Sequence, residues 1–70
     1  MTTATITLNG KVRDLAAGTV RDLLAAEGYD AGARGIAVAR NGTVVPRSAW
    51  AATALSPGDT IEIVKIMQGG

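Results

Sequence analysis

Asn-Gly occurs twice in this chain, at 9–10 and at 41–42, and each pair stands between segments with the character of strands. A type I′ turn needs positive φ at both central positions, and Asn followed by Gly meets that need with the least strain. Two such signals within 70 residues specify two hairpins and leave room for little more than a small sheet and what packs on it. Thr3 to Leu8 alternates, with Ala4, Ile6 and Leu8 on one face and Thr3, Thr5 and Thr7 on the other, which predicts a half-buried strand. Lys11 to Leu15 returns as a second strand, with Val12 an inward candidate. Ile36 to Arg40 is a third, with Ile36 and Val38 inward and Ala37 and Ala39 outward. Thr43 to Val45 follows the second turn, and Pro46, which has no ladder donor, ends it or puts it at an edge.

One helix is expected between the hairpins. Thr19 can accept an orphan backbone N–H and Asp22 lies three residues on, a variant of the capping box. Val20, Leu23 and Leu24 form one apolar stripe, and Gly28 can close the helix in the left-handed conformation. About nine residues cannot hold a helix alone, so the stripe must pack on the sheet. Tyr29 to Gly35 reads as a loop and Arg47 to Leu55 as a small-residue connection with room for a short helical turn. Ser56-Pro57-Gly58-Asp59 is a turn, and Thr60 to Ile66 is the last strand. The fold class is α+β: a mixed sheet of four to five strands with one main helix on one face, the ubiquitin-like β-grasp plan. The last strand should lie centrally, parallel to the first. Residues 1–70 are expected to form a single domain, with a flexible C-terminal tail over 67–70.

Composition excludes several functions. The chain has no His and no Cys, which removes Cys-His nucleophilic dyads, disulfides and most transition-metal sites. No metal site is expected. The net charge is +1 with no basic run, and Tyr29 and Trp50 are the only aromatics, so there is no footprint for nucleic acid. No segment is long and apolar enough to cross a membrane, and residues 1–5 lack the features of a secretory signal. The absence of Cys fits the cytoplasm. Ser48 and Ser56 have no base beside them, so no catalytic residue is expected. Asp59 reads as a turn residue, Asp22 as a helix-start residue and Trp50 as a plug over one end of the core. Arg13, Arg21, Arg34, Arg40 and Arg47 read as solvated or partner-facing.

The last strand and its tail hold the informative irregularity. Ile61 and Ile63 share the inward parity, while Val64 and Ile66 fall on the side of Glu62, and Lys65 falls inward. Two readings of that pattern stand. Either Lys65 snorkels at the sheet edge and neighbours cover Val64, or Val64 and Ile66 begin a partner-docking patch that continues through Met67 and Gln68. The sequence ends at Gly69-Gly70, and two residues without Cβ make the thinnest peptide thread. Such a thread can enter the catalytic cleft of another protein, with Gly69 giving passage and the Gly70 carboxylate as the reacting group. The alternative is an ordinary frayed end. A carboxylate is a poor electrophile, so it needs activation, and with no phosphate loop here the activating enzyme must be separate.

The chain resembles the sulfur carrier family of thiamine biosynthesis, the ThiS family, over essentially its whole length. The resemblance is carried by the strand-to-helix entry Ala17-Gly18-Thr19-Val20-Arg21-Asp22-Leu23-Leu24 and by the second hairpin, Ala37 through Gly42. It continues in Val45-Pro46-Arg47-Ser48-Ala49-Trp50, the most discriminating motif, in Gly58 through Val64, and in Gly69-Gly70. It implies that Gly70 is adenylated by an E1-like, ThiF-like adenylyltransferase and converted to a thiocarboxylate. It implies a sulfur relay of the cysteine desulfurase type, and delivery to a ThiG-like thiazole synthase. The carrier would bind no cofactor of its own, ATP being used by the activating partner, and would not be an enzyme. Carriers for molybdopterin or cysteine synthesis share the same end-group chemistry, and a non-catalytic β-grasp interaction module remains the alternative from another class.

Overall fold

The structure, a computed structural model, describes residues 4–29 and 35–65. Strand β1 (Thr5–Leu8) and β2 (Lys11–Asp14) flank the first Asn-Gly turn, and helix α1 (Val20–Ala26) follows. Strands β3 (Ile36–Arg40) and β4 (Thr43–Val45) flank the second turn. A 3₁₀ turn (Arg47–Ala49) then leads to β5 (Thr60–Lys65). The sheet order is β2-β1-β5-β3-β4, with β5 in the centre, parallel to β1 and antiparallel to β3. This is the mixed five-stranded β-grasp architecture, with β4 at an edge and ending where Pro46 begins.

Both turns have the geometry that Asn-Gly favours. Asn9 and Gly10 sit at φ 49° and 83°, Asn41 and Gly42 at φ 52° and 84°. Each brings its strands back with two intervening residues, which sets the register: Leu8 faces Lys11, Thr7 faces Val12 and Ile6 faces Arg13. Residues directly opposite one another share a face. Val12 therefore lies with Thr7 on the open side, 71% exposed, and the expectation that it points inward is wrong. The same register puts Arg13 on the helix side, where its guanidinium makes two 3.1 Å bonds to the Glu27 carboxylate at the helix end. Arg13 is thus paired rather than simply solvated.

The helix is held at both ends. The Asp22 N–H donates to Thr19 Oγ1 at 3.2 Å, and the Leu23 N–H to the Thr19 carbonyl at 3.0 Å. The Val20 and Arg21 N–H groups donate to the carbonyls of Thr53 and Trp50, so the connection after β4 covers the remaining donors of the first turn. At the far end Gly28 takes φ 87°, the Gly28 N–H reaches the Ala25 carbonyl and the Tyr29 N–H reaches the Leu24 carbonyl. That pair of bonds is the Schellman closure, and it folds Tyr29 back against the core.

Val20, Leu23 and Leu24 from the helix meet Ile6, Leu8, Val38, Val45, Ile61 and Ile63 from the sheet. Each such side chain contributes about 1.5–3 kcal/mol when fully buried. Trp50 and Leu55 close one end, and Trp50 Nε1–H donates to the Val45 carbonyl at 3.0 Å, which satisfies its polar atom inside the core. Trp50 is the plug its position suggested. Arg47 lies 5.9 Å from its ring centroid, a stacked cation rather than a free one.

Candidate functional site

The sequence expectation puts the reacting group beyond β5, and β5 is the last strand the structure describes. At its start, Pro57 and Gly58 form the turn, with Gly58 at φ 86° and the Asp59 N–H donating to the Ser56 carbonyl at 3.1 Å. Asp59 is more than a turn residue: it is 5% exposed and its carboxylate is a hub. It accepts from Arg40 Nε at 2.8 Å, from Asn41 Nδ2 at 3.0 Å and from the Ser56 N–H at 2.8 Å. Burial pushes the Asp59 carboxyl up, but the bonds from Arg40, Asn41 and Ser56 and the Arg40 charge together outweigh it and hold it below the ordinary carboxylate range. Arg40 is therefore a structural partner of Asp59, which corrects its reading as solvated or partner-facing.

The two turn asparagines also grip β5. Asn41 Oδ1 accepts the Thr60 N–H at 2.8 Å, and Asn9 Oδ1 accepts the Ile63 N–H at 2.8 Å while its Nδ2 donates to the Ile63 carbonyl at 3.3 Å. Nothing in the residue types announces these bonds, because the turn conformation already accounts for an Asn at each site. The Asp59 hub was equally hidden, since Arg40 lies 19 residues away in sequence.

Along β5 the burial alternates as its parity predicts, with Ile61 and Ile63 buried and Thr60, Glu62 and Val64 exposed. Val64 is 53% exposed and stands opposite Ala37, while Ala39 stands opposite both Glu62 and Val44. The face away from the helix is thus low and flat around Ala37 and Ala39, with Val64 on one side and Val44, 67% exposed, on the other. Lys65 is exposed at the strand end. Of the site residues expected from sequence, Val64 lies in this face. Ile66, Met67, Gln68, Gly69 and Gly70 lie outside the described residues, as does Arg34.

Among the described residues no cluster of acidic side chains could hold a metal ion. No helix among them is long and apolar enough to cross a membrane.

Comparison with known proteins agrees with this geometry. The model of the ThiS family matches residues 6–70. The crystal structure of a thiamine biosynthesis protein (ThiS) from Geobacter metallireducens superposes with a TM-score of 0.78 at 35% identity, covering 94% of this chain and 99% of that one. A solution structure of a thiamine biosynthesis protein from the same organism gives 0.73 at 33% identity, covering 94% and 87%. A thiazole synthase of Paramagnetospirillum magneticum is 41% identical over 66 residues, and the chain spans about one fifth of that relative's length. A match over nearly the whole sequence, joined to a shared sheet and helix, places the assignment beyond fold likeness alone: the chain belongs to the ThiS family.

Proposed function

We propose that this chain is a sulfur carrier of thiamine biosynthesis whose cargo rides on the Gly70 carboxyl carbon. The observation that carries the reading is the position of Gly69 and Gly70, four and five residues beyond Lys65 at the end of the central strand, in a chain with no His or Cys of its own. The strand is fixed by its hydrogen bonds, and the two glycines supply a thread narrow enough for a deep cleft.

The chemistry follows from the carboxylate. In an E1-like adenylyltransferase (ThiF-like), one Gly70 oxygen attacks the α-phosphorus of ATP and pyrophosphate leaves, giving an acyl adenylate. A protein persulfide, charged by a relay of the cysteine desulfurase type, attacks the carbonyl carbon with its terminal sulfur and AMP departs. A second protein thiol attacks the carrier-distal sulfur of the resulting acyl disulfide. This releases the Gly70 thiocarboxylate and leaves a disulfide on the partner. The carrier supplies no catalytic group, holds no cofactor or metal and acts as co-substrate; ATP belongs to the activating partner. The setting is the cytoplasm.

A thiazole synthase (ThiG-like) is the acceptor. The relative that bears this name contains a segment like this chain within a protein about five times longer, and carrier and acceptor in one polypeptide support a direct handover. Val64, together with Ile66, Met67 and Gln68, forms the partner contact that leads into the tail, and Gly69 gives the passage.

Complementation tests this reading. The chain should restore growth without thiazole in a strain lacking its own carrier, and a version without Gly70 should not. Rescue only of a strain requiring molybdopterin or cysteine would redirect the reading to another carrier. Rescue by the version without Gly70 would leave a non-catalytic interaction module.

A further inference from the structure

We propose that Asn41 is a site of spontaneous covalent modification, deamidation by attack of the Gly42 nitrogen, and that its bond to Asp59 governs both how fast the amide is lost and what the loss does to the fold. This stands apart from the carrier reading. Asn is a thermally labile residue, and a glycine after it leaves the attacking nitrogen unhindered because it has no Cβ. Asn9-Gly10 and Asn41-Gly42 are both exposed, and a Cβ at either glycine would meet nothing within 4 Å. The reaction takes up water and releases ammonia. Hydroxide removes the Gly42 N–H proton, the nitrogen attacks Asn41 Cγ, and Nδ2 leaves as ammonia with a proton from water, which returns the hydroxide. Water then opens the cyclic imide. Breaking the bond from the nitrogen to Cγ gives aspartate. Breaking the bond to the backbone carbonyl carbon gives isoaspartate, which lengthens the backbone of the turn.

In the fold both ends of the Asn41 amide are engaged. Its Oδ1 accepts the Thr60 N–H at 2.8 Å, and Nδ2, the leaving group, donates to the Asp59 carboxylate at 3.0 Å. The amide must give up these partners at the start of β5 before the Gly42 nitrogen can displace Nδ2, and a bond to a charged acceptor is one of the stronger kinds. Asn9 has the same turn geometry but is anchored to the backbone of Ile63, so its hold does not involve Asp59. The consequences differ as well. Aspartate at position 9 would keep an oxygen for the Ile63 N–H and lose a 3.3 Å bond. Aspartate at position 41 would set an oxygen where Nδ2 stood, facing the buried Asp59 carboxylate, with Arg40 to share between two like charges.

Asn9 is therefore an internal control within the same molecule. The chain is aged at mildly alkaline pH, folded and in urea, and the replacement of amide by acid is followed at each turn by peptide mass and fragmentation, which also separates aspartate from isoaspartate. Loss at Asn41 should be at least about tenfold slower in the folded chain than in urea. Asp59→Ala should speed loss at Asn41 in the folded chain about tenfold and change loss at Asn9 by less than about twofold. The aspartate products are made directly by substitution. Asn41→Asp should lower the melting temperature by about 8 °C or more, and Asn9→Asp by less than about half as much. Any one of three results overturns the proposal: loss at Asn41 as fast in the folded chain as in urea, equal acceleration of both turns by Asp59→Ala, or Asn41→Asp melting no lower than Asn9→Asp. If Asp59→Ala does not fold, the other two comparisons decide.

Discussion

Replacing Asp59 by alanine should be one of the most damaging single changes in this fold. Asp59 is 5% exposed, and its carboxylate is bonded by Arg40 at 2.8 Å, Asn41 at 3.0 Å and the Ser56 N–H at 2.8 Å. Removing one member of a buried ion pair costs about 3–5 kcal/mol, because the other charge is left without a partner. The Arg40 side chain is 33% exposed and water recovers part of that. The orphaned Ser56 N–H restores some of the penalty, so the expected loss is about 3 kcal/mol. A domain of this size has a total stability of roughly 4–10 kcal/mol, so the fall in melting temperature should be on the order of 12–24 °C. Urea unfolding followed by fluorescence of Trp50, the only Trp in the chain and buried in the core, reads the change directly. The sign of the pH dependence is also fixed. The folded carboxyl lies below its unfolded value, so its contribution is complete above the unfolded value and is lost as pH falls through the folded one. The gap in stability between wild type and Asp59→Asn should be full at neutral pH and shrink below about pH 4. A loss under about 1 kcal/mol for Asp59→Ala, or a gap unchanged at about pH 2.5, would refute the hub.

Two further substitutions test other levels of the account. Val12→Thr should change stability by less than about 0.5 kcal/mol in the same urea assay, since Val12 is 71% exposed on the open face, and a core-sized loss would mean the hairpin register is wrong. Gly69→Val should leave the melting temperature unchanged and stop adenylation, measured as pyrophosphate release with the activating enzyme; normal release would refute the threading argument.

What the sequence makes legible here is local. The Asn-Gly turns, the Thr19 cap, the Gly28 closure and the Pro57-Gly58 turn each act within a few residues, and the structure has all of them. Parity along β5 is legible for the same reason, and so is its central place, which follows from how a crossover returns to a sheet. Val12 misled because its apolar character was weighed ahead of register, although a two-residue turn already places it beside Thr7. The pairs Arg13–Glu27 and Arg40–Asp59 join residues 14 and 19 positions apart, and only the packed helix and sheet bring them together. The grip of Asn9 on Ile63, across 54 residues, is harder still to see, because the turn explains the residue before the side chain is considered. The proposal that Gly70 carries the cargo comes from the sequence, and Gly70 lies outside the described residues.

The most direct measurement is the intact mass of the chain after incubation with ATP, an E1-like adenylyltransferase and a persulfide sulfur source. The account predicts a gain equal to the exchange of one oxygen for sulfur, located at Gly70 by fragmentation and absent from a chain made with a C-terminal amide. An unchanged mass at Gly70, or the same gain in the amidated chain, would contradict it.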